Sequence, residues 1–313
     1  MVALSGGPDS TALLLLLSIL QKKYSLKIFA AHVNHGISAA QSSEFQNFSQ
    51  KLARRLNLPF FKKKIHLKTL AKKNKKTLEE MGRIVRYDFF KEIAKKTGAK
   101  KIATAHTLDD QAETVLMRVA RGTGLKGLGG IPFKRKEGGY EIIRPFLEVS
   151  KKEVLAFLKK SHEPYCRDAS NATDVFTRNR VRNQLLPWME KNLNPQVKTS
   201  LSDLGALCAR TQTFMEGLAE RELERCLVKK KGGHVFLNGA RLKRLDTALR
   251  SETIFAALAL LGKGRLRFTS RHIDAIGAIL DSPEGKLETH LPGRIVVTKG
   301  VEGTFRIFDT SSK

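Results

Sequence analysis

Ser5-Gly6-Gly7-Pro8-Asp9-Ser10 is the stretch whose reading decides the fold. Before it stands Val2-Ala3-Leu4, a short apolar strand, and after it runs Thr11 to Leu20, apolar enough for a buried helix. The hexapeptide is therefore a strand-to-helix turn. Gly6 and Gly7 remove side chains where the backbone must approach a partner closely. Pro8 presets the angle of a first helical position, where its missing N–H is no loss. Several N–H groups and the positive end of the helix then face one point, which suits a pyrophosphate. Ser5, Ser10 and Thr11 add hydroxyls. Asp9 is the candidate ligand for a magnesium ion (Mg2+) bridging phosphates, because a hard cation prefers carboxylate and phosphate oxygens. The competing reading is an ordinary structural turn; the flanking serines and the strand-to-helix context favour phosphate binding.

Working outward, strand-like and helix-like segments alternate. Lys27 to Val33 reads as a second strand, followed by Asn34-His35-Gly36 and a helix near Gln41 to Leu56. Phe60 to Leu67 reads as a third strand, and Thr77-Leu78-Glu79-Glu80 as a capping box opening a helix through Arg83, Arg86 and Tyr87. Lys101 to Ala105 is a fourth strand. This order implies an α/β domain, a doubly wound parallel sheet with right-handed crossovers. The pattern changes after about Pro187. Helical segments dominate Gln196 to Val228, Arg241 to Leu261 and Ser270 to Leu280; alternating stretches close the chain at Leu287–Leu291, Arg294–Thr298 and Thr304–Phe308. The expected organisation is a catalytic domain over 1–187 and, over 188–313, a mostly helical second domain ending in a small antiparallel sheet. A first strand of three residues is short beside the usual central strand of about five or six. Whether residues precede Met1 stays open.

The second constellation is Ala103-Thr104-Ala105-His106-Thr107-Leu108-Asp109-Asp110-Gln111-Ala112-Glu113-Thr114, which ends a strand and begins a helix. Ligands bind at the carboxyl ends of strands in open α/β sheets. Helical periodicity puts Asp109, Asp110 and Glu113 on one side, with Ala112, Val115, Leu116 and Val119 facing the core. Thr107-Leu108-Asp109-Asp110 can cap this helix much as Thr77–Glu80 caps the earlier one, and His106 precedes the cap, on the acidic side. Dipole stabilisation alone also favours acids in a first turn. Three carboxylates, an amide and an imidazole exceed what capping needs, so His106, Asp109 and Glu113 are the candidate catalytic residues.

Composition sets the partner. The 313 residues carry 57 Lys+Arg against 30 Asp+Glu, a formal charge of +27. A polyanion, nucleic acid first, is the natural counterpart. The plainer reading is a set of basic surface helices, which suits runs such as Lys229-Lys230-Lys231. Cys166, Cys208 and Cys226 include no Cys-x-x-Cys, against a disulfide framework or zinc site and in keeping with a cytoplasmic protein. An acidic membrane surface is the second candidate for that charge; no apolar run is long enough to span a bilayer, and no membrane partner is expected. The N-terminus shows no secretory signal pattern.

The loop is not Gly-x-x-x-x-Gly-Lys-[Ser/Thr]; it resembles that of the N-type ATP pyrophosphatase (PP-loop) superfamily, whose members cleave ATP between its α and β phosphates. Over roughly the first 190 residues the chain resembles the bacterial tRNA(Ile)-lysidine synthetase family. The ordered blocks that carry this are Ser5–Ser10, Ala31-His32-Val33-Asn34-His35-Gly36, Glu79-Glu80 with Arg83, Arg86 and Tyr87, and His106–Thr114. They continue as Arg121-Gly122-Thr123-Gly124-Leu125-Lys126-Gly127-Leu128, Arg144-Pro145-Phe146-Leu147, Arg167-Asp168-Ala169-Ser170-Asn171 and Phe176-Thr177-Arg178-Asn179-Arg180-Val181-Arg182. The resemblance implies an adenine-nucleotide α-hydrolase-like fold. It implies ATP bound at Ser5, Gly6, Gly7, Pro8, Asp9 and Ser10. It also implies adenylation of the wobble cytidine of an isoleucine tRNA with a CAU anticodon, followed by displacement of AMP by L-lysine. Two departures stand out: Thr107 replaces the family's usual second histidine, and Ser38 replaces a basic residue after Gly36.

Within this frame Asp109 is the expected base for the lysine amine, Glu113 the holder of its cation, and His106 a donor to the activated oxygen or leaving phosphate. Arg178, Arg180 and Arg182 are the candidate tRNA contacts, since a guanidinium forks onto phosphate and stacks on bases. The alternative is a helix cap paired to Asp168 or Glu190. Trp188 and Phe214 read as core, and His234 reads as a tRNA contact or a solvated turn. The assembly state is open, a homodimer included. A sulfur-inserting relative is disfavoured by the cysteine pattern, and a non-catalytic RNA-binding protein by the intact loop and acidic helix.

Overall fold

The computed structural model describes residues 1–36, 39–167, 174, 177–262, 268–283, 287–300 and 303–311. The chain divides into two compact units, Met1–Ala209 and Arg210–Lys313. The first unit holds, in order, β1 (Val2–Ala3), α1 (Pro8–Leu20), β2 (Ala30–Asn34), α2 (Ala39–Arg55), β3 (Phe60–Lys64), α3 (Leu67–Lys73), α4 (Leu78–Thr97) and β4 (Lys101–Ala103). Then come α5 (Leu108–Arg121), α6 (Leu125–Leu128), β5 (Lys134–Glu137), β6 (Tyr140–Ile143), α7 (Lys151–Lys160) and α8 (Thr177–Arg180). A π-helical turn, Val181–Leu185, joins α8 to α9 (Leu186–Asn192), and α10 (Val197–Cys226) follows.

The sheet order is β3-β2-β1-β4-β6-β5. Only the edge pair β5/β6 is antiparallel; β1 runs parallel to both β2 and β4. The chain leaves β1 toward β2 and β3 and resumes on its other side with β4. The gap between the carboxyl ends of β1 and β4 is thus the topological switch point, where an open α/β sheet leaves a crevice. Both faces are covered, as parallel sheets require. On one, Val2, Leu4, Ala30 and Ala103 pack with Leu13, Leu14, Leu52, Val154 and Leu158. On the other, Ala31, Ile102 and Ile142 pack with Phe89, Phe90 and Ile93 of α4. The doubly wound parallel sheet is as expected.

Boundaries moved where local pattern misled. Leu67 starts α3 and does not end β3. The β5–β6 hairpin escaped the sequence reading because Lys134-Arg135-Lys136-Glu137 is a charged run; charge of this kind is what keeps a sheet edge from pairing with another chain. The junction expected at 187/188 lies inside the first unit. Leu186 and Val197 pack with Val181 against Leu116, Met117, Met189 and Leu201, which binds α9 and the start of α10 to α5. Trp188 and Phe214 are not core: they are 55 % and 63 % exposed. Val119, expected to face inward, also stands in solvent.

The second unit adds β7 (Leu227–Lys231), β8 (His234–Asn238), α11 (Gly239–Lys243), α12 (Thr247–Leu260), α13 (Ser270–Asp281), β9 (Leu287–Leu291), β10 (Ile295–Lys299) and β11 (Thr304–Asp309). Its antiparallel sheet has the order β7-β8-β11-β10-β9. The sheet is larger than expected, since Lys229-Lys230-Lys231 pairs with β8 and does not lie in a loop. His234 is in that strand, with its ring stacked on Phe308 at 5.0 Å. Alternate residues Val235, Leu237, Phe305 and Ile307 enter a core shared with Ile254, Leu258, Ile273 and Ile276 of α12 and α13.

Gln111, read as part of the site, is structural. It is 3 % exposed, accepts from the Ile131 N–H at 2.6 Å and donates to the Gly129 carbonyl at 3.3 Å. A Cβ on Gly130 (φ +64°) would come within 2.6 Å of it. Gln111→Leu leaves a buried donor and acceptor unmet, each costing about 1–3 kcal/mol. The urea midpoint should fall accordingly; an unchanged midpoint would show that this clamp carries no stability.

Candidate active site

The turn after β1 forms a nest of amides. Ser10 Oγ accepts from the N–H groups of Ser5 at 3.1 Å and Gly6 at 3.2 Å, lies 2.9 Å from Ser5 Oγ, and donates to the Gly7 carbonyl at 3.1 Å. A hydroxyl oxygen thus sits where an anion's oxygen would be held. α1 begins at Pro8 with Gly7 as N-cap and no capping side chain. Gly6 has φ +91°, and a Cβ there would meet Ser49 Oγ at 3.1 Å and the Phe45 carbonyl at 3.2 Å. Only glycine suits both the backbone and the space. The Cys166 N–H donates to the Gly6 carbonyl at 3.0 Å and ties a later segment to the loop.

Across the switch point stands the start of α5. Thr107 and Asp110 form the expected reciprocal cap: the Asp110 carboxylate accepts from the Thr107 N–H at 2.9 Å, and Thr107 Oγ1 from the Asp110 N–H at 3.4 Å. The corresponding box at Thr77 is half made. Its hydroxyl caps Glu80 N–H at 3.1 Å, but the Glu80 carboxylate pairs with Lys76.

Two sets of cations meet the acids. Arg178 and Arg182 enclose Asp110 and Glu113. Arg178 Nε donates to Glu113 at 2.7 Å and its Nη2 to Asp110 at 2.9 Å. Arg182 Nε donates to Glu113 at 2.5 Å and its Nη2 to Asp110 at 3.3 Å. The Glu113 side chain is 1 % exposed, so these bonds saturate a carboxylate that water cannot reach. Asp109 points elsewhere. It accepts from the Lys151 backbone N–H at 2.7 Å and pairs with the Lys198 ammonium at 3.2 Å. The Lys151 ammonium reaches back to Asp9 within 2.5 Å. Lys151 therefore joins the phosphate loop to the acidic helix.

Lys151 and Lys198 were missed by the sequence reading. The usable signal for Lys151 was the box Ser150–Glu153, which fixes it as the first helical residue of α7; for Lys198 there was none. Of the expected arginines, Arg178 and Arg182 turn toward the acids, and Arg180 is exposed with its guanidinium on Thr177 Oγ1 at 3.2 Å. Glu190 pairs with Lys198 and not with the arginines. Asp168-Ala169-Ser170-Asn171, Phe176, Ile37 and Ser38 lie outside the described residues. Arg83 is exposed and lies over the Tyr87 ring at 5.4 Å.

Burial raises the Asp9 carboxyl above its ordinary range, and the nearby Asp110 pushes the same way against the Lys151 ammonium. Burial also works to raise Asp110, but the Arg178 guanidinium and the Thr107 N–H outweigh it and hold this carboxyl below the usual range. Burial lowers His106 to about 4, with Arg144 and Arg178 adding to it against Asp110. Its Nδ1 lies 3.0 Å from Thr104 Oγ1. At neutral pH His106 is an uncharged imidazole.

The switch-point crevice with its amide nest belongs to an adenine-nucleotide α-hydrolase-like fold. Residues 1–189 match the PP-loop domain family, and the chain belongs to it. It is 35 % identical over 300 residues to tRNA(Ile)-lysidine synthase of Geobacter sulfurreducens, covering 95 % of this chain and 62 % of that protein. To tRNA(Ile)-lysidine synthase of Clostridioides difficile it is 34 % identical over 297 residues, covering 95 % and 63 %. The chain thus spans about 62 % of the length of the first of these relatives and 63 % of the second. Among solved structures, the U34-tRNA thiolase NcsA from Methanococcus maripaludis superposes with a TM-score of 0.54 at 20 % identity. That match covers 66 % of this chain and 71 % of the thiolase, and it shows the shared fold.

The depressed histidines carry a pH prediction. His35 is lowered to about 4, by burial first and then by Arg86, as His106 is by burial. Below the unfolded value of about 6.5 the unfolded chain binds protons that the folded chain refuses. Stability is therefore fully present above that value and lost as pH falls toward 4. From pH 6.5 to pH 5 each histidine should cost about 1.5 kcal/mol. Urea unfolding at the two pH values measures this, and His106→Gln should remove its share; an identical pH slope in that variant would refute the buried, neutral state.

Proposed function

We propose that this chain is an ATP-dependent ligase that joins L-lysine to the wobble cytidine of an isoleucine tRNA with a CAU anticodon. The carbonyl oxygen at carbon 2 of the base attacks the α phosphorus of ATP, and pyrophosphate leaves. The lysine ε-amine then attacks carbon 2; a carbon–nitrogen bond forms, the carbon–oxygen bond to the adenylate breaks, and AMP departs. The name carried by relatives that align with nearly the whole chain supports this reading.

The observation that carries it is the placement of Asp109. It stands beside the crevice from the phosphate loop and already accepts an ammonium, that of Lys198, at 3.2 Å. A carboxylate that accommodates one lysine side chain suits the ε-ammonium of another and can take the proton which that amine loses before attack. Glu113 and Asp110 act with Arg178 and Arg182, holding two guanidiniums at the crevice. Glu113, expected to hold the lysine cation, is instead taken up by these arginines, which are placed for phosphate charge on ATP or RNA. His106, neutral, donates a hydrogen bond to the leaving phosphate without adding charge.

The N–H groups and hydroxyls of the loop Ser5–Ser10, where only Pro8 lacks an N–H, bind the triphosphate, with Lys151 beside them. Magnesium takes one or two carboxylates together with phosphate oxygens. Asp9 would supply one carboxylate next to the nest, in place of the Lys151 ammonium that it holds here. When bound there, the ion would offset charge on the phosphates. All three cysteines are buried, leaving no exposed thiol to carry sulfur, which favours amine ligation over thiolation. Among the described residues no helix is long and apolar enough to cross a membrane. The second unit, in this reading, contacts tRNA away from the anticodon, and the protein works in the cytoplasm where that tRNA is found.

The test is incubation with isoleucine tRNA, ATP and labelled lysine, following AMP release and label in RNA. Asp109→Asn should bind ATP as the parent does and lose ligation by about 100-fold or more. Near-normal product would remove Asp109 from the mechanism, and AMP release without label in RNA would leave adenylation alone supported.

A further inference from the structure

Trp188 is the one tryptophan of the chain, and its exposure of 55 % is unusual for the largest apolar side chain beside a buried cluster. It lines a shallow groove of about 530 Å³ with Thr177, Arg180, Val181, Gln184 and Leu185. These positions recur at helical spacing and form one stripe along α8, the π-helical turn and α9. Val181 is buried and floors the groove. The stripe is the outer face of the helical stretch whose inner face presents Arg178 and Arg182 to Asp110 and Glu113. The π geometry is explicit: the Leu186 N–H donates to the Val181 carbonyl five residues back, and the next residue, Pro187, has no N–H to give. Such turns concentrate at functional sites.

The chemistry of the groove suits a nucleobase. An indole face accepts a flat ring of any sequence, and the exposed guanidinium of Arg180 lies along the same stripe to meet a phosphate. Charge complementarity favours RNA over a peptide: Arg180 lines the groove, and the whole chain carries +27. From Arg182 to Trp188 is roughly 9 Å along the helix at 1.5 Å per residue, within reach of an adjoining nucleotide.

We propose that Trp188 and Arg180 form a stacking platform for an unpaired base next to the reacting nucleotide, with Arg180 on its phosphate. This rests on the reading of the substrate as an anticodon loop. A base taken out of its stack for chemistry leaves its neighbours without a partner, and the indole replaces that partner.

A single tryptophan makes the test direct, because the emission of the full chain reports Trp188 alone. An RNA stem-loop presenting CAU in its loop should quench that emission, and the same strand annealed to its complement should not. Trp188→Ala should weaken stem-loop binding, measured by anisotropy of labelled RNA, about tenfold, with an unchanged melting temperature because the side chain is exposed; Trp188→Phe should retain most of the affinity. Arg180→Ala should lower the slope of log affinity against log salt by about one. Stem-loop that binds without quenching, fails to bind, or binds Trp188→Ala as tightly as the parent overturns the platform, as does equal quenching by the duplex. The lysine-incorporation assay separates the two readings: quenching with no label in RNA keeps the platform and discards the ligase.

Discussion

Four carboxylates are gathered at the carboxyl ends of two neighbouring strands, and the structure depends on their neutralisation. Asp9 follows β1; Asp109, Asp110 and Glu113 follow β4. Left bare they would repel one another, and Asp110 does push the Asp9 carboxyl upward. Lys151 and Lys198 answer Asp9 and Asp109, while Arg178 and Arg182 answer Asp110 and Glu113. All four cations come from elements later in the chain than the acids. The charge balance therefore closes only when α7, α8, the π-helical turn and α10 have packed against the sheet, so folding and assembly of the site are one event.

The parallel pairing of β1 with both β2 and β4 is what brings the groups together. It sets an amide nest and an acidic helix start on opposite sides of one crevice, as a switch-point topology does generally. Lys151 exploits this arrangement with two different atoms, its backbone N–H on Asp109 and its ammonium on Asp9. A ligand bearing phosphate would compete for that ammonium and so act on both halves of the site at once. The nest shows the same readiness, since Ser10 Oγ takes the two N–H bonds that an anion's oxygen would otherwise take.

Much of this was legible in the chain. The strand-to-helix hexapeptide and the Thr107–Asp110 cap are local patterns found where the sequence places them, and the alternation of elements holds with moved boundaries and an added hairpin. The errors share a cause. Position among acids groups Gln111 with the site, yet the fold directs it to the loop at Gly129–Ile131. Residue type puts Trp188 and Phe214 in the core, and both are exposed. Lys229-Lys230-Lys231 looked solvated and is a strand, because pairing with β8 depends on the partner and not on its own charge.

The sequence by itself determined the elements whose signals are short-range: glycines that permit a positive φ at Gly6, a proline at a helix start, caps, and apolar periodicity. Those are properties of neighbouring residues, so they survive without knowledge of the fold. Only the tertiary structure decided which cation answers which carboxylate, that Glu113 is sealed from water while Asp109 keeps company with a lysine, and that Arg180 turns away from the acids that Arg178 and Arg182 meet. Such pairings join residues 42 to 142 positions apart, and at those separations it is packing, not sequence proximity, that sets distance.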